Sequence, residues 1–383
     1  MRPYFENMTP LGRSLTETQK ESSKENLVQI NELEKAVTEA IEAVKNAGIP
    51  AEVIKKRGQL TVWERLEYLI DPGTWCPLHT LYNPRFNEEG ATGVIDGLAK
   101  INGKWAVVIG FDNKVMAGAW ISGQAENQLR VTDMAKRLNV PLVWIVNCSG
   151  VKLTEQEEVY ADRRGGGTTF FRHAELEKLG VPIHYNETGF FKEVYDTEED
   201  LMDALKKYIN MVPSYDPHFF RVDEPKEPKF PGDDLNFIVP FNQKRSYNFD
   251  EVLARIFDNS EHMEFRPYYG PEVYTGLAKI DGFLVGFIGN RQGFLGQNYP
   301  EYAPYPGIGG KLYRQGLIKM NELAQQYFDN SRPIYCANRG FVDEIVSFSD
   351  LRRYIAAFTG CAYQNPLSIC PHHHMMIPRI IRG

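Results

Sequence analysis

The chain has 383 residues, 43% of them hydrophobic and 12% aromatic, enough to bury a core in each of two ordinary domains. A formal net charge of −7 argues against a general nucleic-acid binder, while leaving room for cations clustered around a phosphate-bearing ligand. Five cysteines with no Cys-x-x-Cys pair suit free, mostly buried thiols in a reducing compartment.

The first 24 residues are polar and lack the apolar run of a signal peptide, and no stretch reaches the roughly 20 apolar residues of a membrane span. A cytoplasmic protein is expected, meeting a membrane only through partner subunits. Residues 26–47 place Leu27, Ile30, Leu33, Val37, Ile41 and Val44 at helical spacing, and Gly48-Ile49-Pro50 stops them. A second helix is predicted over 62–69, ending at the turn signal Asp71-Pro72-Gly73. An alternating segment carrying Val94, Leu98 and Ile101 then meets Asn102-Gly103, a pair suited to positive φ. A tight hairpin into an apolar strand over 104–110 follows from it.

Val115-Met116-Ala117 reads as strand, Ser122-Gly123 as loop, and the stretch to Leu138 as a helix with Ala125, Leu129, Thr132 and Ala135 on one side. Residues 140–146 are nearly all apolar, as a parallel strand covered on both faces requires, and stop at Asn147-Cys148-Ser149-Gly150. Ligand sites in α/β sheets commonly lie at such carboxyl ends. Pro213, Pro217, Pro225, Pro228, Pro231 and Pro240 mark 213–240 as a linker.

Beyond the linker the chain repeats itself. Gly97-Leu98-Ala99-Lys100-Ile101-Asn102-Gly103 returns as Gly276-Leu277-Ala278-Lys279-Ile280-Asp281-Gly282, again before an apolar strand, over 283–289. Upstream, Trp63-Glu64-Arg65-Leu66 with Ile70-Asp71 is echoed by Val252-Leu253-Ala254-Arg255-Ile256-Phe257-Asp258. A duplicated helix and hairpin make a tandem of related halves, 1–212 and 241–383, rather than a short-period solenoid. The second half continues with a loop over 293–310, a helix over 317–327, a strand over 341–346 and a closing helix over 350–358.

Four constellations bear on chemistry. Asn147-Cys148-Ser149-Gly150-Val151 is either a plain turn or a loop that presents backbone N–H groups to an oxyanion. Cys148 within it reads as a small hydrophobe more readily than as a nucleophile, since no base is identifiable nearby. Arg163-Arg164-Gly165-Gly166-Gly167 joins two cations to a donor-rich loop suited to phosphate or carboxylate, or is a surface loop without that role. His372-His373-His374 has no second ligand cluster, so no metal site is expected, and the isolated Gly307-Ile308-Gly309-Gly310-Lys311 is a weak signal for a phosphate loop.

Several long stretches taken together resemble the carboxyltransferase family of biotin-dependent enzymes. They are Lys56-Arg57-Gly58-Gln59-Leu60-Thr61-Val62-Trp63-Glu64-Arg65, the hairpin of 93–110, Asn147-Cys148-Ser149-Gly150-Val151, and the run from Ala161 to His173. Tyr268-Tyr269-Gly270-Pro271-Glu272-Val273, Gly309-Gly310-Lys311-Leu312-Tyr313-Arg314-Gln315-Gly316 and Tyr363-Gln364-Asn365-Pro366 add to them. The likeness is strongest to the glutaconyl-CoA decarboxylase branch. It implies an α/β fold of two tandem crotonase-like halves, each a spiral of ββα units, and an acyl-CoA substrate, with coenzyme A as part of the substrate itself.

The resemblance further implies transfer of the terminal carboxylate of glutaconyl-CoA to biotin on a partner subunit, leaving crotonyl-CoA. A membrane partner would couple the reaction to sodium export, in glutamate fermentation, and the subunit would form a homodimer. By the same resemblance the Val151 N–H, beside Gly150, is one of two oxyanion donors. Arg163, Arg164 and Gly166 would take phosphate or carboxylate, and Ala117 and Gly118 would touch the adenine side, although core packing serves Ala117 equally well. The chain also departs from the family. After Leu179-Gly180-Val181-Pro182 it passes straight to Ile183-His184, without the glycine-rich segment that bears the second donor, and a further core segment is missing after Leu317-Ile318-Lys319-Met320. Both halves are therefore expected to be shortened, the second more so. Two alternatives follow: a carboxyltransferase subunit acting on acetyl-, propionyl- or methylcrotonyl-CoA, and a truncated, non-catalytic scaffold of such a complex.

Overall fold

An aspartate, a two-residue turn and a hairpin recur in both halves of the structure. It is a computed structural model that describes residues 8–84, 90–160, 165–178, 183–184, 195–212, 221–242, 245, 247–264, 273–290, 334, 337 and 342–364. In chain order the elements used below are β1 (Thr9–Pro10), α1 (Glu17–Ser22), α2 (Lys24–Lys45), α3 (Ala51–Lys56), α4 (Val62–Leu69), β2 (Cys76–Leu78), β3 (Val94–Ile101) and β4 (Lys104–Phe111). Then come α5 (Gln124–Leu138), β5 (Leu142–Ile145), α6 (Gln156–Tyr160), α7 (Thr168–Lys178), β6 (Ile183–His184) and α8 (Glu198–Met211). The rest are α9 (Leu235–Ile238), α10 (Phe249–Leu253), β7 (Glu261–Glu264), β8 (Val273–Ile280), β9 (Phe283–Asn290) and α11 (Leu351–Gln364).

The chain divides into two compact units. The first holds Glu39–Pro217, Arg332–Ile345 and Gly360–Gly383, and the second holds Met1–Thr38, His218–Ser331 and Val346–Thr359. Within 213–240, the stretch Leu235–Ile238 is helical and Leu235 is buried.

In the first unit, helix α4 starts at a capping box in which Thr61 and Glu64 satisfy each other's backbone N–H groups. Its Leu66 and Leu69 pack against Ala99 and Ile101 of β3, Ala106 and Val108 of β4, Val143 and Ile145 of β5, and Met202, Leu205 and Ile209 of α8. Strands β3 and β4 form the expected hairpin, with Asn102 and Gly103 at φ 51° and 77°, the left-handed pair that matches strand twist. Strand β5 joins β4 in parallel and is buried along its whole length, as its apolar sequence requires. Among the described residues the sheet order is β2-β3-β4-β5-β6.

The second unit carries an antiparallel sheet, β1-β7-β8-β9, over a core of Leu11, Leu253, Phe257, Tyr274, Ala278 and Ile280. Its hairpin turn repeats the first one, with Asp281 at φ 55° and Gly282 at 76°. The duplication extends to close approaches. A Cβ on Gly97 would overlap the Cys76 carbonyl oxygen, and one on the matching Gly276 would overlap that of Met263, so each glycine lets the preceding strand lie close.

The echoed aspartates explain why the two turns share a sequence. Asp71 accepts the Asn102 N–H at 2.9 Å and the Gly103 N–H at 2.6 Å. Asp258 accepts the Asp281 N–H at 2.9 Å and the Gly282 N–H at 2.7 Å. Asp258 is fully buried and also takes Arg352 Nη2 at 2.8 Å. Truncation at both sites is expected to destabilise unequally: Asp71→Ala by about 1 kcal/mol and Asp258→Ala by about 3 kcal/mol, because Asp258 is fully buried and its loss also removes a carboxylate partner of Arg352. Urea titration of the two variants measures the difference.

Several sequence expectations need correction. Residues 342–346 form no strand, since that stretch is bends and irregular backbone. The closing helix starts one residue later than expected and runs on to Gln364. Cys76 and Cys361 are buried but Cys148 is exposed. Cys336, Cys370, the 293–310 loop, the 317–327 helix, Gly307 to Lys311 and the three histidines of 372–374 lie outside the described residues.

Candidate active site

Strand β5 ends with its chain turning into solvent: residues 148–150 are exposed. Facing this loop is the segment after β4, read from sequence as a strand at Val115-Met116-Ala117. The structure overturns that reading. Met116, Ala117 and Gly118 follow one another at φ 48°, 53° and 71°, a left-handed turn closed by Gly118 N–H to the Val115 carbonyl at 2.9 Å and Ala119 N–H to the Met116 carbonyl at 3.1 Å. Left-handed backbone costs an L-residue roughly 1–2 kcal/mol, so the surroundings must hold Met116 and Ala117 in place.

Those surroundings are the loop itself. Ser149 Oγ donates to the Met116 carbonyl at 3.2 Å. The Trp120 N–H donates to the Gly150 carbonyl at 2.8 Å, and the Lys152 N–H donates to the Trp120 carbonyl at 2.9 Å. Gly118 sits so close to the Asn147 carbonyl oxygen that a Cβ would occupy the same space. Gly118→Ala is therefore expected to displace the whole 147–151 loop and to lower the melting temperature by several degrees, readable by calorimetry and by new proteolytic cleavage at 147–151.

The bridge between Trp120 and Val151 fixes one backbone direction. The Gly150 carbonyl and the Lys152 N–H both face Trp120, so the N–H of Val151, between them, faces the opposite side. Among the described residues it has no acceptor. Aromatic rings stiffen the floor: Phe111 stacks at 6.2 Å on both Trp120 and Trp144. Gly166 packs beneath Trp120, where a Cβ would meet the ring at 3.0 Å, and its N–H already donates to the Val159 carbonyl at 2.6 Å.

The structure thus brings Ala117, Gly118, Gly150 and Val151 together and ties Gly166 to them through Trp120. Ala117 is exposed and lies in the turn rather than at a strand end. Arg163 and Arg164 lie outside the described residues. The Cys148 Sγ is exposed and hydrogen-bonds within its own loop, at 3.3 Å from the Gly150 N–H, which overturns its reading as a buried hydrophobe. Sequence reasoning missed the support under this loop. With its carboxamide oxygen turned toward Arg65, Asn147 accepts from both terminal guanidinium nitrogens at 3.2 Å. Arg65 in turn holds Glu198, Nε to Oε2 and Nη2 to Oε1, both at 2.8 Å. Glu198 is 133 residues further along the chain, and nothing in local sequence announces the pairing. Among the described residues no cluster of three or more His, Cys, Asp or Glu is placed to hold a metal, and no helix is long and apolar enough to cross a membrane.

The Val151 N–H is thus a backbone donor presented from the loop at the carboxyl end of a buried parallel strand. The chain belongs to the biotin-dependent carboxyltransferase family: the carboxyl transferase domain matches residues 54–182 and 175–326. It is 36% identical to the alpha subunit of glutaconyl-CoA decarboxylase from Acidaminococcus fermentans, over all of this chain and 98% of that protein. That alignment spans 579 positions against the 383 residues of this chain, so internal segments of the relative have no counterpart here. The two matched family segments change over at 175–182, where the sequence departs from the family pattern. The beta1 subunit of a biotin-dependent 3-methylcrotonyl-coenzyme A carboxylase from Mycobacterium tuberculosis is 24% identical over 61% of this chain and 56% of its own length. In structure the chain is similar to the beta subunit of P. aeruginosa geranyl-CoA carboxylase, with a TM-score of 0.68 over 94% of this chain and 98% of that one, at 16% identity. This likeness supports the crotonase-like α/β fold.

Proposed function

We propose that this chain is the carboxyltransferase subunit of a glutaconyl-CoA decarboxylase, taking the terminal carboxylate of glutaconyl-CoA and leaving crotonyl-CoA. The observation that carries the reading is the Val151 N–H, turned away from its bridge partner and without an acceptor among the described residues. The similarity to the Acidaminococcus subunit supports the choice of substrate. Biotin on a partner subunit is the carboxyl acceptor. No described residue assigns its ring a seat, so the chemistry that the described residues support is that at the thioester.

When the bond between the terminal carboxylate and its carbon breaks, the electron pair spreads through the carbon–carbon double bond to the thioester oxygen. The Val151 N–H stabilises that oxygen most when it carries most charge, so it lowers the barrier rather than only binding substrate. Protonation of the resulting dienolate at its far carbon gives crotonyl-CoA. A biotin-carrier subunit, a membrane sodium-pump subunit and a second copy of this chain complete the assembly, which places a cytoplasmic protein at a membrane through its partners.

The test is release of CO2 from glutaconyl-CoA by the purified chain with free biotin. Biotin-dependent turnover is expected. Its absence from a folded preparation would sink the enzymatic reading and leave a scaffold of the complex, which the unmatched internal segments of the Acidaminococcus alignment would favour. Carboxylation of 3-methylcrotonyl-CoA from supplied N-carboxybiotin, in place of glutaconyl-CoA turnover, would transfer the assignment to the acyl-CoA carboxylases, the group of the Mycobacterium relative.

A further inference from the structure

Resting on the reading of Val151 as an oxyanion donor, we infer that Arg65, clamped by Glu198, is a positioning residue that sets where that donor stands by holding Asn147. A guanidinium is planar and permanently charged, so two parallel bonds to one carboxylate fix the orientation of its whole plane. Arg65 makes both bonds to Glu198 at 2.8 Å and is only 6% exposed. Glu198 is itself held, at the first turn of α8 where the helix dipole favours a carboxylate, and it also accepts the Leu60 N–H at 3.3 Å.

With the Asn147 carboxamide oriented so that its oxygen meets donors, the terminal nitrogens of this fixed plane reach that oxygen at 3.2 Å. Asn147 is thereby tied twice, by its side chain to Arg65 and by its main-chain carbonyl against Gly118 in the left-handed turn. The three residues that follow are exposed, and within that stretch the side-chain bonds are those of Cys148 to Gly150 and of Ser149 to Met116. Asn147 is therefore the inner anchor of the loop, and Val151 stands at its outer end, where the bridge to Trp120 holds it. Arg65 is buried and Glu198 only partly so, and an ion pair of that kind adds little net stability, so placing the loop accounts better for the two residues than stability does.

Asn147→Ala removes the loop's side chain and leaves the Arg65–Glu198 pair whole. Arg65→Lys keeps the charge but loses the fork. Each is expected to lower kcat for glutaconyl-CoA by about 100-fold, the cost of a small misplacement of a reacting group, with KM changed much less. Asn147→Asp, which offers an oxygen to the same two nitrogens, is expected to recover most of kcat. A second readout needs no turnover. In protein labelled with 15N-valine, the Val151 amide signal, assigned by its disappearance in Val151→Pro, should shift when crotonyl-CoA is added, and should shift far less in Asn147→Ala and Arg65→Lys. No shift in the parent protein would remove the oxyanion reading and this inference with it. A parent shift that persists in full in both variants would remove the inference alone, as would an equal loss of kcat in Asn147→Ala and Asn147→Asp.

Discussion

Val151→Pro is expected to lower kcat for glutaconyl-CoA by about 100- to 1,000-fold, the loss seen when one donor of an oxyanion site is removed. Proline takes away the N–H. The two bonds of the bridge to Trp120 use the Gly150 carbonyl and the Lys152 N–H, and both survive the change. Val151→Ala keeps the N–H and should lose far less activity, so the pair of variants separates the backbone donor from the valine side chain. Initial rates together with melting temperatures decide the matter. A rate loss matched by a large drop in melting temperature would point to a displaced loop, and equal rates in Val151→Pro and the parent would remove Val151 from the reaction.

Raising the pH from 7 to 10 is expected to destabilise the first unit by on the order of 4 kcal/mol through one histidine. His79 has only 1% of its side chain exposed and lies between two carboxylates, Nδ1 at 2.6 Å from Asp96 Oδ1 and Nε2 at 3.2 Å from Asp343 Oδ1. Asn127 Nδ2 donates to Asp96 at 3.1 Å, Arg130 Nη1 donates to Asp343 at 2.8 Å, and Glu344 accepts from the neighbouring Thr80 hydroxyl at 2.6 Å. Burial opposes the charge on His79, but the Asp96 charge and the bonds to Asp343 and Asp96 outweigh it and raise its pKa to about 10. The folded value lies above the unfolded one near 6.5. The stabilisation is therefore complete below about pH 6.5 and is lost as pH rises through 10.

Asp343 acts in the other direction. The bond from His79 holds its carboxyl below the usual range despite partial burial, so its contribution is present above the ordinary aspartate value and is lost in acid. Tyrosines and lysines also titrate above pH 9, so the informative quantity is a difference. The alkaline fall in stability should be shallower in His79→Gln than in the parent, although His79→Gln is itself less stable because it leaves Asp96 buried without its cation. Parallel slopes in the two proteins would rule out the histidine as the source.

Much of the backbone was legible in advance. The 62–69 helix, both hairpins and the buried strand before residue 147 follow from apolar patterning and turn pairs, which act between neighbours in sequence. The repeated Gly-Leu-Ala-Lys-Ile phrase likewise announced the duplication. The echo of Asp71 in Asp258 was visible as a pattern, and its meaning came with the structure, where each carboxylate takes the N–H groups of a turn more than 20 residues away.

The site was legible in part. A strand that stops at Asn147-Cys148-Ser149-Gly150 pointed to a loop there, because the carboxyl end of a parallel strand must open onto one, and the family resemblance singled out Val151 within it. The left-handed turn at 116–118 was misread as a strand: Val115-Met116-Ala117 is apolar, and local propensity gives no hint that Ser149 and Trp120 hold that backbone in a region it would otherwise avoid. Arg65 stood in plain view inside a helix, but its role depends on Glu198 and Asn147. Residue order alone was enough for the repeated helix and hairpin, the buried strands and the place where the loop after β5 begins. The direction of the Val151 N–H, and what holds it there, came from the folded chain. A bridge to Trp120, a carbonyl against Gly118 and an ion pair across 133 residues are contacts between segments that do not meet until the chain has folded.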